Sequence, residues 1–279
     1  MAATTQIALP ARAADPLALW HLLSLDAPTV AALWTWFIAR SCRIALPPAV
    51  PMAMALAVWI LYAADRLLDA RHPDRGLEAR HLFHHRHRRA FLAGIALAAT
   101  ALAAILPRLN PAALRLYLVE GAFLAAWFLV LHASPSAHCL PKEIAVGIFF
   151  AAACCIPSVA REPALRLALL PSAILFAALC CLNCLFIYAW EHEGPTGAQA
   201  AHATTRLALA RLPAIATAFA TVSAVVAFLV STPIPAACAL AAVLLLVLHR
   251  TRGRFSGTHL RAAADLALLT PILLLAIVR

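Results

Sequence analysis

The sequence predicts an all-α, polytopic membrane protein of about nine transmembrane helices, and three observations lead there. Of its 279 residues 64% are hydrophobic and only 12% charged, whereas a soluble domain carries about 25% charged residues. Mean hydropathy is +0.88. The apolar residues are also gathered into runs that approach the ~20 needed to cross hydrocarbon as a helix.

Residues 1 to about 16 have no continuous apolar stretch of the kind a signal peptide needs, and they read as a loose N-terminal tail. No Gly- or Ser-rich linker divides the remainder, so 17–279 reads as a single transmembrane domain. The first apolar run lies near 20–39 and is entered through Asp26, Ala27 and Pro28, with Asp26 placed to cap the helix. The second, 46–64, opens on Pro47, Pro48 and Pro51, where a missing N–H costs little. A basic stretch, 65–90, follows. The third and fourth runs, 91–107 and 112–132, are parted by Pro107 to Pro111. The fifth, 142–160, begins after Pro141, and the sixth, 164–190, ends in a polar loop from Glu191 to Arg206. Runs at 207–231, 234–249 and 262–278 complete the nine.

Net charge is +10, carried by 21 Arg and one Lys against 12 acids. In a soluble chain such an excess would suggest nucleic acid. Here the basic residues sit in loops without a nucleic-acid motif, so orientation in the bilayer accounts for them. With the N-terminus cytoplasmic, fifteen of the 22 basic residues fall on the cytoplasmic side, together with the loops 65–89, 191–206 and 250–261. The expected location is therefore the bacterial cell membrane, with the chemically loaded loops facing inward. Seven of the eight Cys lie in or against apolar runs. Packing between membrane helices explains them better than redox or zinc chemistry, the C-x-x-C of Cys181 and Cys184 included.

Two stretches carry candidate chemistry. At the end of the second run Asp65 and Asp69 stand at i and i+4, hence on one helical face, beside Arg66, Arg71 and Arg75. Paired carboxylates among fixed cations suit a divalent ion held against phosphate, although ion pairing in an exposed basic loop would use the same residues. At the end of the sixth run Asn183, Ile187 and Glu191 share a stripe, offering two oxygen ligands to a hard cation. A polar helix terminus bonded to its neighbour is the plainer reading.

Taken together, these stretches resemble the UbiA superfamily of intramembrane prenyltransferases. Asp65-x-x-x-Asp69 is similar to half of that family's first Asp-rich motif. Asn183 to Glu191 occupies the place of the second, and Pro141, Lys142, Glu143 and Gly147 resemble the basic entrance to its fifth helix. The resemblance implies a UbiA-like bundle and transfer of a prenyl group from a polyprenyl diphosphate to an unidentified acceptor. It implies Mg²⁺ held by Asp65, Asp69, Asn183 and Glu191, with diphosphate engaged by Arg66, Lys142 and Arg71. Tyr62, Glu120 and Asp265 are further polar candidates for the cavity. The chain departs from the family where Leu61 and Tyr62 replace Asn and Asp, and where Asn183 and Ile187 replace carboxylates. A one-metal enzyme, an altered donor and a non-catalytic relative stay open.

Trp59, Phe149, Phe150, Phe186 and Tyr188 are candidates for apolar walls, or simply packing. Glu120, in mid-helix, must be neutral, paired or facing a polar cavity, since a charge there costs at least ~2.5 kcal/mol. Asp265 could share a cavity mouth with Asp65 or pair with Arg261. Two rival classes remain. One is a transporter or scaffold of similar fold. The other is a membrane di-iron oxidase, suggested by the single H-x-x-H-H box at His81, His84 and His85.

Overall fold

The computed structural model describes residues 15–69, 79–133, 142–192, 203–230 and 232–275. Every regular element among them is helical. In chain order these are α1 (Pro16–Leu22), α2 (Asp26–Ser41), α3 (Ala49–Asp69), α4 (Ala79–Arg86), α5 (Arg88–Ile105) and α6 (Pro111–Ala133). They continue with α7 (Lys142–Arg161), α8 (Leu165–Glu191), α9 (Ala203–Ala210), α10 (Leu212–Leu229), α11 (Ile234–Thr251), α12 (Gly257–Ala267) and α13 (Pro271–Leu274). Among the described residues seven helices are long and apolar enough to cross a membrane (α3, α5, α6, α7, α8, α10 and α11), with an eighth if α1 and α2 are one broken span. The chain is a multi-pass membrane protein.

The expected nine spans exceed this count, and the difference lies at the two ends of the chain. The first run is not straight: α1 and α2 meet at 88°. Ser24, at φ 58°, turns the chain in a Schellman arrangement: its N–H donates to the His21 carbonyl and the Leu25 N–H to the Trp20 carbonyl, both at 3.0 Å. The first helix cap is Asp15, which accepts from the Leu17 N–H at 3.1 Å. The ninth run breaks between α12 and α13, where Pro271 cannot continue the hydrogen-bond ladder. In the middle the sequence boundaries hold closely. The second run extends beyond residue 64, so α3 carries both Asp65 and Asp69.

Helix α2 lies at the centre, between α3 and α7; α5 packs outside α3, α6 outside α7, and α8 joins α7 to α11, which carries α10. The core forms where α2 meets α8. The Trp34 and Phe176 rings stack 3.9 Å apart, and Trp34 Nε1 donates to the Leu268 carbonyl at 2.8 Å. This bond satisfies a buried indole and ties the C-terminal helices to the centre. At Gly147 the α7–α8 crossing is so close that a Cβ would lie 2.6 Å from the Ala177 carbonyl oxygen. By contrast α6 is almost wholly exposed to its surroundings, with 6% of its spanning window buried. In a membrane protein such a face meets lipid.

Candidate functional site

The polar residues converge where the α1–α2 corner meets α3, α8 and α12. Ser24, His21 and Asp26 are buried at the corner, and Arg66 enters from α3 with 6% of its surface exposed. Its guanidinium donates at 2.8 Å to both the His21 carbonyl and Ser24 Oγ, and lies 3.6 Å from Asp26 Oδ2. His21 Nδ1 is 2.5 Å from the same carboxylate oxygen. From the other side Asn183 Nδ2 donates to Asp265 Oδ1 at 3.0 Å. The donor atoms of His21, Asp26 and Asp265 lie within 4.8 Å of one another. Two carboxylates and one guanidinium leave a single negative charge in a poorly solvated place. A second positive unit, whether a proton or a cation, therefore belongs to this cluster.

Helical geometry explains why these residues meet. Arg66 points inward because it is about 100° around α3 from Asp65, which is exposed. Tyr62, one turn earlier, packs against the core within electrostatic reach of Asp26, Asp265 and Arg66. Asn183 and Glu191 lie on the α8 stripe that faces α12. The first reaches Asp265, and the second forms an ion pair with Arg261. Arg261 is therefore turned towards Glu191.

Of the residues named from the sequence, Tyr62, Arg66, Asn183 and Asp265 come together here. Glu191 sits nearby on the same side, and Lys142 begins α7 as an exposed cation. Asp65 faces outward. Asp69 ends α3, but its side chain and the whole of Arg71 lie outside the described residues. Glu120 is apart from this cluster, on α6 against α7, with its Oε1 buried and lacking a hydrogen-bond partner. Neighbouring Tyr117 donates to the Ala153 carbonyl at 3.1 Å. Of the aromatic candidates, Phe150 and Phe186 pack in the core, and Tyr188 stacks on His192 at the end of α8. Phe186 is fully buried beside Trp190, and Trp59 stacks on Phe91 while its Nε1 donates to the Leu23 carbonyl. In the histidine box His84 is buried, 3.0 Å from Ser24 Oγ, whereas His85 is exposed. The two do not address a common point; the side chain of His81 lies outside the described residues. All seven described Cys are free thiols.

Sequence reasoning missed His21 and Ser24 and gave Asp26 only a capping role. The available signal was the spacing: His21 and Asp26 flank a short polar break, Ser24, inside an otherwise apolar run. No family model, curated protein or solved structure matches the chain.

Proposed function

We propose that the chain is an integral-membrane prenyltransferase, using a polyprenyl diphosphate donor and Mg²⁺, and oriented with the Asp65–Arg89 region on the cytoplasmic side. The observation that supports this reading most directly is the convergence of Tyr62, Arg66, Asn183 and Asp265 at one end of the bundle. Residues from separate apolar runs, chosen for a shared chemistry, gather beside the turn that bears Asp65.

The donor set suits Mg²⁺ in kind, since it consists of hard oxygen ligands. Asp65 and Asp69 would supply carboxylates from one face of α3. Asn183 Oδ1 is buried and has no hydrogen-bond partner, but it lies with Asp265 in the inner cluster, so a cation it held would be separate from one held by Asp65. Glu191 fits less well because Arg261 already holds it. When bound, the metal would stabilise the charge that develops on a departing diphosphate. In this reading Arg66 is a positioning residue. Its bonds to His21, Ser24 and Asp26 fix the last turns of α3, and thereby aim Asp65 away from the core. Lys142, exposed at the start of α7, supplies the cation for the diphosphate.

The test is binding of a non-hydrolysable farnesyl diphosphate analogue to the purified protein with and without Mg²⁺, alongside Asp65→Asn/Asp69→Asn. The expected result is binding that requires both the metal and the aspartates. Binding indifferent to both would remove the prenyl-transfer reading. A second reading, a cation-coupled carrier, is favoured by the proximity of His21, Asp26 and Asp265. It predicts ion-dependent uptake in proteoliposomes that survives Asp65→Asn and is lost in Asp265→Asn.

A further inference from the structure

We propose that the corner between α4 and α5 is a binding site for the headgroup of an anionic bilayer phospholipid, separate from the cluster around Arg66. From His85 to Arg89 five consecutive residues carry basic side chains, and all five are exposed. Together with Ala90 they line an open depression of about 540 Å³. Among the described residues no carboxylate pairs with any of them. The first turn of α5 contains no acid, so the helix dipole adds to this positive charge instead of offsetting it. An anion from outside the chain would relieve both.

The corner is rigid, which distinguishes it from a loose basic loop. His84, fully buried, stacks on Phe91 with ring centroids 3.9 Å apart and reaches Ser24 Oγ on the α1–α2 corner. His87 Nδ1 donates to the Phe83 carbonyl at 2.9 Å. Behind them Phe91 stacks on Trp59 of α3. The cations are thus presented from a fixed frame.

The depth is also right for a lipid. Leu92 and Leu97, on α5 immediately after the basic run, are 49% and 73% exposed, and Leu82 on α4 is 54% exposed. Exposed leucines on a spanning helix face acyl chains, so one turn before Leu92 the side chains of Arg88 and Arg89 stand at headgroup level. A phospholipid with its phosphate among the arginines could lay one chain along Leu92, on the stripe of Arg88, and the other along Leu97, on the stripe of Arg89. A soluble phosphate would use only the first half of this surface.

The experiment is native mass spectrometry of the purified full chain, incubated with equal amounts of phosphatidylglycerol and phosphatidylcholine of matched chains. Phosphatidylglycerol should be retained preferentially. Arg86→Gln/Arg88→Gln/Arg89→Gln should lower its retention at least ~10-fold, while Arg250→Gln/Arg254→Gln, removing cations elsewhere, should change it little. Binding of the farnesyl diphosphate analogue should be unaffected, so failure here and failure of the prenyl-transfer reading are separable. Equal retention of the two lipids would overturn the proposal, as would unchanged enrichment in the triple variant or an equal loss in the control. Displacement of the lipid by millimolar inorganic phosphate would also overturn it, since the site would then be one for free phosphate.

Discussion

Asp65 and Arg66 are consecutive residues on α3, and the structure treats them in opposite ways. Arg66 is buried, bonded to the His21 carbonyl and Ser24 and close to Asp26. Asp65 is exposed on the outer face of the same turn. The contrast separates two uses of charge in one helix. An inward charge holds elements together because removing it would leave its partners desolvated and unpaired. An outward charge contributes little to stability, because solvent screens it. Stability and binding should therefore respond to different substitutions even where the residues are neighbours.

The largest effect should come from Arg66→Ala, which strands the carboxylates of Asp26 and Asp265 in the interior. A destabilisation of about 3–5 kcal/mol is expected, read as an earlier thermal transition of the detergent-solubilised protein. Asp65→Asn should move the same transition by less than about 0.5 kcal/mol. If the two substitutions proved equally costly, the division between an inner and an outer charge would fail.

Packing offers a second, smaller form of the contrast. At Gly147 an added methyl meets the Ala177 carbonyl oxygen and the Cys181 Sγ, whereas at Gly121, on lipid-facing α6, it meets nothing within 4 Å. Gly147→Ala should cost about 1–3 kcal/mol because backbone atoms of α8 must move. Gly121→Ala should instead stabilise slightly, by up to ~1 kcal/mol, through helix propensity alone. Unfolding in the same detergent compares the two directly.

The smallest effect concerns an exposed clasp between the start of α1 and α12. Asp15 Oδ2 lies 2.5 Å from His259 Nε2, and His259 Nδ1 lies 2.6 Å from Ser256 Oγ. The hydrogen bond to His259 holds the Asp15 carboxyl below its usual 3.8. A carboxyl depressed in the folded state contributes stability above its unfolded value and loses it as pH falls through the folded one. Asp15→Asn should therefore be slightly less stable than the parent at pH 6. The difference should shrink as pH falls below the usual carboxylate range and vanish once pH has passed the lowered folded value, where both forms are neutral.

Much of this was legible in the sequence for a simple reason: apolar run length and Pro placement are local properties. The starts of α7 at Lys142, of α6 at Pro111 and of α11 at Ile234 follow from punctuation that any spanning helix would need. The same logic misjudged both ends. Run length alone does not register the turn at Ser24 or the break before Pro271, because hydrophobic side chains continue on either side of each. Asp65 and Asp69 were visible as an i, i+4 pair, and α3 does carry both. The outward direction of Asp65 was not visible, since it depends on what Arg66 finds inside.

Composition and periodicity by themselves determined that this chain is helical, multi-pass and basic at its loops, because those features are set by the bilayer acting on each segment separately. Only the tertiary structure decided which polar residues share a centre. His21, Asp26, Arg66, Asn183 and Asp265 are separated by up to 244 positions, and no local pattern relates them. They meet because a buried charge must find its partner wherever packing brings one within reach.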